Sequence, residues 1–182
     1  MRFKKTTLNL TAVLILFITA SAIAGIGSSP FARVQRSIDG IVESVYDGDT
    51  LQVITPEGTK LRVRLAWIDA PETAKPQIPG QPYGREAAEY LRRLVLGQTV
   101  TVHIVDTDRY RRMVAIVICG EMNINEAMIA AGLAEAYREY LVEPYKTKYL
   151  EAEGRARQEQ RGMWSQPDYV RPSEFRKIHR IR

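Results

Sequence analysis

Cysteine and histidine are nearly missing from this chain: its 182 residues include one cysteine, Cys119, and two histidines, His103 and His179. A single thiol cannot build an internal disulfide framework or a cysteine-cluster zinc site. Two histidines make a multi-histidine metal centre a poor fit, so any metal used here would be held by oxygen ligands. No segment repeats internally. Apolar residues make up 45% of the chain and charged residues 26%, which excludes a disordered or collagen-like polymer. The length suits one modest domain with a real hydrophobic core.

The N-terminus does carry a long uncharged run. Arg2, Lys4 and Lys5 precede an apolar stretch from Ala12 to Ala24, and no charge stands between Lys5 and Arg33. The stretch closes on Ala22-Ile23-Ala24 before Gly25, the basic, apolar, small-x-small order of a secretory signal. Residues 1–24 are read as a signal peptide, with an uncleaved inner-membrane anchor as the alternative. Either reading keeps the basic end cytoplasmic and puts the domain on the far side, secreted or periplasmic. Cysteine is missing near this run, which excludes lipoprotein anchoring.

The net charge of +5 shrinks on inspection. Three basic residues lie in the signal segment, and the tail from Arg171 to Arg182 holds five basic residues against one acid. Between residues 25 and 170, 18 basic residues face 20 acidic ones, a net −2. Overall basicity therefore says nothing by itself about a nucleic-acid partner.

The chain after the signal reads as a linker over 25–36, a domain over 37–165 and a basic, extended tail over 166–182. Strands are predicted at Ile38–Tyr46, Thr50–Thr55 and Thr59–Ile68, then at Thr99–Val105 and Met113–Ile118. In the third, Leu61, Val63 and Leu65 alternate with Lys60, Arg62 and Arg64. Helices are predicted from Gly84 to Leu96, from an Asn123 cap through Ala131, and from Tyr145 to Gln160. The fold class is α+β, mainly β. Five strands with one helix between the third and fourth is the order of an OB-type barrel.

Three acidic clusters mark strand ends: Asp47-Gly48-Asp49-Thr50, Asp69-Ala70-Pro71-Glu72-Thr73, and Asp106 to Arg112. Each alone reads more readily as ordinary turn chemistry, Asp-Gly being a favoured hairpin turn. Strand parity adds a constraint on the second. With a period of two, Arg64 and Asp69 face opposite sides of an ideal strand, so reaching one site requires a bulge or turn-out across Ala66-Trp67-Ile68.

Taken together with Arg64-Leu65-Ala66-Trp67-Ile68, Tyr83-Gly84-Arg85-Glu86-Ala87, Asp108-Arg109-Tyr110-Arg111-Arg112 and Asn123-Ile124-Asn125-Glu126-Ala127, these clusters resemble the thermonuclease (micrococcal or staphylococcal nuclease-like) family. The resemblance runs from about Ile38 to Trp164. It implies a five-stranded OB-fold barrel with about three flanking helices, and Ca²⁺-dependent cleavage of DNA and RNA leaving a 5′-hydroxyl and a 3′-phosphate. It further implies Asp49 and Asp69 as metal ligands through their carboxylates and Ala70 through its main-chain carbonyl. Glu72 matches the general base, and Arg64 and Arg112 match the two phosphate-gripping arginines. Arg109, Tyr110 and Tyr137 would contact phosphate or stack on a base. Arg111 departs from the pattern, standing where the family usually has glycine for a left-handed turn. Arg111 is therefore also a candidate for the second phosphate site.

The competing class is a catalytically silent OB module that binds single-stranded nucleic acid. Presence of Asp49, Asp69, Glu72, Arg64 and Arg112 together favours the enzyme. Nothing in the sequence demands more than a monomer, and a membrane is a partner only if the N-terminal segment stays uncut.

Overall fold

The computed structural model describes residues 34–179. The predicted signal peptide and residues 180–182 lie outside the described residues, as does most of the linker.

The alternating segments pair as a closed barrel. Strand β1 (Arg36–Asp47) pairs antiparallel with β2 (Thr50–Ile54) on one side and β5 (Thr99–Thr107) on the other. Strand β2 pairs with β3 (Lys60–Leu65), and β5 with β6 (Met113–Cys119). A short parallel pairing of β3 with β6, Val63 opposite Met113 through Leu65 opposite Ala115, completes the circuit. The two-residue β7 (Met122–Asn123) folds back on the end of β6. Register shifts in β1 near Val42 and Val45 supply the extra bend that closure of a small barrel requires. Alternation in β3 is as expected: Val63 and Leu65 are buried inside, while Lys60 and Arg62 face out.

Helices cover the barrel. Helix α1 (Gly84–Val95) buries Ala87, Leu91 and Val95 against it. Helix α2 (Ile124–Ala130) starts on an Asn123 cap whose side chain accepts the Glu126 N–H at 3.1 Å. Helix α3 (Tyr145–Gln158) packs chiefly on α2.

Two expectations need correction. The third strand does not run to Ile68. It stops at Leu65, turns at Ala66-Trp67 with Trp67 left-handed (φ 60°), and resumes as β4 (Ile68–Asp69), which pairs with β8 (Glu135–Ala136). The segment after Trp164 is not an extended tail: Pro172–Ile178 forms a fourth helix, α4, with proline at its first turn.

One buried side chain fixes the strand break. The Asn125 carboxamide, fully buried, accepts the Val117 N–H at 3.0 Å and donates to the carbonyls of Ala66 (3.0 Å) and Ala115 (3.1 Å). It ties the turn after β3 to β6 and to the start of α2. Replacing it with leucine, close in shape but without donors or acceptors, leaves the Val117 N–H and the Ala66 carbonyl buried without partners. We expect Asn125→Leu to lower unfolding free energy by about 2–4 kcal/mol in urea titration. A loss below about 1 kcal/mol would show that the turn holds without this pin.

Candidate active site

Two of the three acidic clusters, those of Asp49 and of Asp69 and Glu72, converge where the β1–β2 turn meets the end of β3. Asp49 lies in the two-residue turn Gly48-Asp49, since Asp47 pairs with Thr50. The Leu65 N–H donates to the Asp49 carbonyl at 2.8 Å, tying that turn to β3. A Cβ at Gly48 would stand 2.6 Å from the Ala87 Cβ and 2.7 Å from that of Ala70, so only glycine lets the turn lie this close to α1 and β4. Asp69 comes into place through β4, opposite Glu135. Glu72 sits in the following loop, its carbonyl accepting the Gln81 N–H at 2.8 Å. A Cβ at Gly84 would come within 2.1 Å of that carbonyl, so α1 begins hard against the Glu72 backbone.

The result is a row of alternating charges. Arg64 bridges two carboxylates, Nη1 to Asp49 Oδ2 at 2.7 Å and Nη2 to Asp69 Oδ1 at 3.1 Å. Arg176, from α4, grips Asp69 with both nitrogens (Nη1–Oδ1 2.9 Å, Nη2–Oδ2 2.8 Å) and reaches Glu72 Oε1 at 3.0 Å. Lys75 closes the row on Glu72 Oε2 at 3.2 Å. The parity constraint is met: the left-handed turn at Trp67 puts Asp69 on the Arg64 side.

The carboxylates crowd one another. Burial, then the neighbouring Asp49 charge, push Asp47 up to about 7. Burial also works to raise Asp49, but the Arg64 guanidinium and hydrogen bonds outweigh it and hold the group below its usual range. For Asp69 burial wins, and its pKa lies above the ordinary value despite Arg176. Four carboxylates thus lie close to two guanidiniums, with Asp49 and Asp69 buried and Asp47, Glu72 and both arginines partly exposed.

Asp49, Asp69, Arg64 and Glu72 are brought together, with Ala70 buried beside them in the chain. Arg112 stands apart from this row. It immediately precedes β6, two residues before Val114, the partner of Arg64, and its Nε binds Asp108 Oδ2 at 2.7 Å. Arg109 and Arg112 both lie over the Tyr110 ring, at 4.8 and 5.4 Å. Tyr110 is itself half exposed. The Tyr137 N–H donates to the Trp67 carbonyl at 2.8 Å, and the Asp69 charge is among the causes, after burial and Glu139, that raise its phenol. Arg111 is exposed and left-handed (φ 64°), so the loop keeps the turn that glycine would favour. Asp108 holds that turn by accepting the N–H groups of Tyr110 (2.9 Å) and Arg112 (3.0 Å).

Sequence reasoning missed several members. Asp47 stands within the first acidic motif, yet its sequence context assigns it no part. Glu135, fully buried, is held by the Arg171 guanidinium (2.9–3.2 Å) and the Tyr169 hydroxyl (3.0 Å). Arg176 lies 107 positions from Asp69, and only its place among tail cations hints at it.

The donor set fits a hard divalent cation. Oxygen is the ligand type these residues offer, and Asp47, raised by burial and then by the neighbouring Asp49 charge, marks a place where positive charge is favoured. Among the described residues, no three His, Cys, Asp or Glu side chains converge as a finished cage. Guanidiniums bridge the carboxylates instead.

Residues 62–166 match the family described as Staphylococcal nuclease homologue. The chain is 41% identical over 136 residues to an uncharacterized endonuclease of Escherichia coli O157:H7, covering 74% of this chain and 82% of that protein. It is 37% identical over 147 residues to a micrococcal nuclease of Shigella flexneri, covering 76% and 80%. An uncharacterized endonuclease of Haemophilus influenzae is 34% identical over 140 residues, covering 77% and 74%.

The left-handed Arg111 yields a direct stability test. A side chain there costs about 1–2 kcal/mol relative to a relaxed backbone, offset in part by the greater unfolded freedom of glycine. We expect Arg111→Gly to stabilise the fold by roughly 1 kcal/mol in denaturant melts. Destabilisation would mean that the Arg111 side chain makes contacts worth more than the strain.

Proposed function

We propose that this chain, which belongs to the staphylococcal nuclease homologue family, is an endonuclease that hydrolyses phosphodiester bonds of DNA and RNA with Ca²⁺ as cofactor. The observation carrying this reading is the Arg64 guanidinium set between Asp49 and Asp69 with Glu72 alongside. A binding module needs positive charge for the backbone. Four crowded carboxylates beside a half-buried arginine are costly for that purpose and useful for chemistry.

Each residue has a part in hydrolysis. Glu72 takes a proton from the attacking water, whose oxygen bonds to phosphorus in line with the departing 5′ oxygen. The bond from phosphorus to the 5′ oxygen breaks, that oxygen takes a proton from solvent and leaves as a hydroxyl, and the phosphate stays on the 3′ side. Arg64 is a planar fork on a strand, fixed at both nitrogens, and it can donate to the phosphoryl oxygens as charge builds on them. Arg112, at the edge of β6 on the same run of sheet, supplies the second fork. Asp49, Asp69 and the Ala70 carbonyl would hold the ion, which when bound polarises the phosphate and neutralises developing charge. Arg109, Tyr110 and Tyr137 offer charge and ring faces for the flanking nucleotides, worth about 1–3 kcal/mol per stacked base.

Single-stranded DNA incubated with the protein in Ca²⁺ and in chelator tests the reading. Cleavage is expected only with the ion, leaving 3′-phosphate ends. Glu72→Gln should slow it by about 10²–10⁴-fold, and Arg64→Ala should lower kcat more than it raises KM. Binding without cleavage at any Ca²⁺ concentration would establish the silent OB module instead.

We further place the domain outside the cytoplasm, on the strength of the N-terminal basic-apolar-Ala22-Ile23-Ala24 order. N-terminal sequencing of the extracytoplasmic protein should begin at Gly25. An intact Met1 in the membrane fraction would establish the anchored form.

A further inference from the structure

The tail docks on the site through partners that the body does not otherwise use. Glu135 is fully buried, and its carboxylate is held by Tyr169 and Arg171, both beyond the barrel and its helices. The Gln81 side chain, whose Oε1 accepts the Glu72 N–H, donates to the Val170 carbonyl at 2.6 Å. A buried carboxylate without a counter-charge is strongly disfavoured, so docking of this segment completes the body. Glu135 is also the β partner of Asp69, so the anchor sits next to the site.

From that anchor α4 carries Arg176 onto the candidate metal ligands. Both oxygens of Asp69 and one of Glu72 are taken by a single guanidinium. A Ca²⁺ bound through Asp69 would sit at ~2.3–2.6 Å from an oxygen already engaged by a cation. Arg64 engages Asp69 through Oδ1 and leaves Oδ2 for an ion, whereas Arg176 takes Oδ2 as well, at 2.8 Å, so the ion and Arg176 compete for the same oxygen. Arg176 stands on a seven-residue helix outside the barrel, so it can withdraw where Arg64, on a strand paired on both sides, cannot.

We propose that the Tyr169–Ile178 segment is a built-in competitor for the divalent cation, with Arg176 as a tethered plug in the site and Arg171–Glu135 as its anchor. The plug rests on the reading of the site as a Ca²⁺-dependent nuclease. Tethering gives Arg176 a high effective concentration at Asp69. The ion must displace it, so activity switches on at a higher Ca²⁺ concentration than the carboxylates alone would set.

Calorimetric titration of Ca²⁺ into the full chain and into Arg176→Gln is the test, paired with the Ca²⁺ dependence of single-stranded DNA cleavage. Removing the plug should tighten Ca²⁺ binding at least ten-fold and lower the half-saturating Ca²⁺ for cleavage to match. Arg171→Ala, which loosens the anchor and leaves Arg176 intact, should move both in the same direction by less, provided a thermal melt shows it folded. Unchanged or weaker Ca²⁺ binding by folded Arg176→Gln, with both proteins cleaving DNA, would overturn the plug and leave the nuclease standing. A fall in kcat/KM at saturating Ca²⁺ without tighter ion binding would also overturn it, marking Arg176 as a substrate contact. If neither protein binds Ca²⁺ or cleaves at any ion concentration, the nuclease reading fails and the plug with it.

Discussion

A break of two residues in one strand decides whether this barrel has a site at all. Had β3 continued unbroken through Ile68, Arg64 and Asp69 would lie on opposite faces and could not meet. The left-handed Trp67 reverses that parity, and Asn125 holds the reversal by binding the Ala66 carbonyl from the start of α2. Trp67 then packs its ring on Tyr145 of α3 at 5.0 Å, so the same turn anchors a second helix. Pairing of β4 with β8 fixes the next residues in place: Asp69 is set opposite Glu135, and Tyr137 is hydrogen-bonded back to Trp67. The packing of α3 on the turn and the carboxylate–guanidinium contact both depend on one kink.

Once the kink exists, electrostatics governs the rest. Burial raises Asp47 and Asp69, with the neighbouring Asp49 charge adding to it, so the charged forms of this cluster depend on the cations around them. The body's slight acidity is the global trace of this local excess. Positive charge is imported from the tail, where Arg171 neutralises Glu135 and Arg176 neutralises Asp69 and Glu72. The basic tail and the acidic body are thus two halves of one charge arrangement.

How much of this is legible in the sequence depends on how far apart the cooperating residues are. Strand alternation at Leu61, Val63 and Leu65, the Asn123 cap and the Asp-Gly turn are local signals, and they locate the barrel strands and α2 within a few residues. Parity also demands the turn-out after β3, although the β-rich pattern from Thr59 to Ile68 reads as one strand. Asn125 is not legible as a pin, because one polar residue in the first turn of a helix reads as an ordinary cap neighbour until its three backbone partners are known. Glu135 and Arg176 leave still less trace. Their contacts span 36 and 107 positions, and neither has a periodic pattern or motif around it. The tail reads as extended because its prolines and charges carry no apolar stripe, whereas its order comes from long-range partners in the body, Glu135, Gln81, Asp69 and Glu72.

The two guanidiniums at Asp69 show how one interaction type can do two jobs. Arg64 is carried on a central strand of a closed barrel, its neighbours hydrogen-bonded on both sides, and both its terminal nitrogens are engaged by buried carboxylates. Moving it means breaking the barrel, so it is a permanent part of the site, preorganised at no further entropic cost when a phosphate arrives. Arg176 makes shorter contacts to the same Asp69, yet it is carried on a seven-residue helix outside the barrel, anchored through Arg171 on Glu135. Its hold is therefore set by the local charge balance, and a second cation of higher charge changes that balance directly. Contact distance alone ranks Arg176 above Arg64; the element that carries each one determines which is fixed and which is exchangeable.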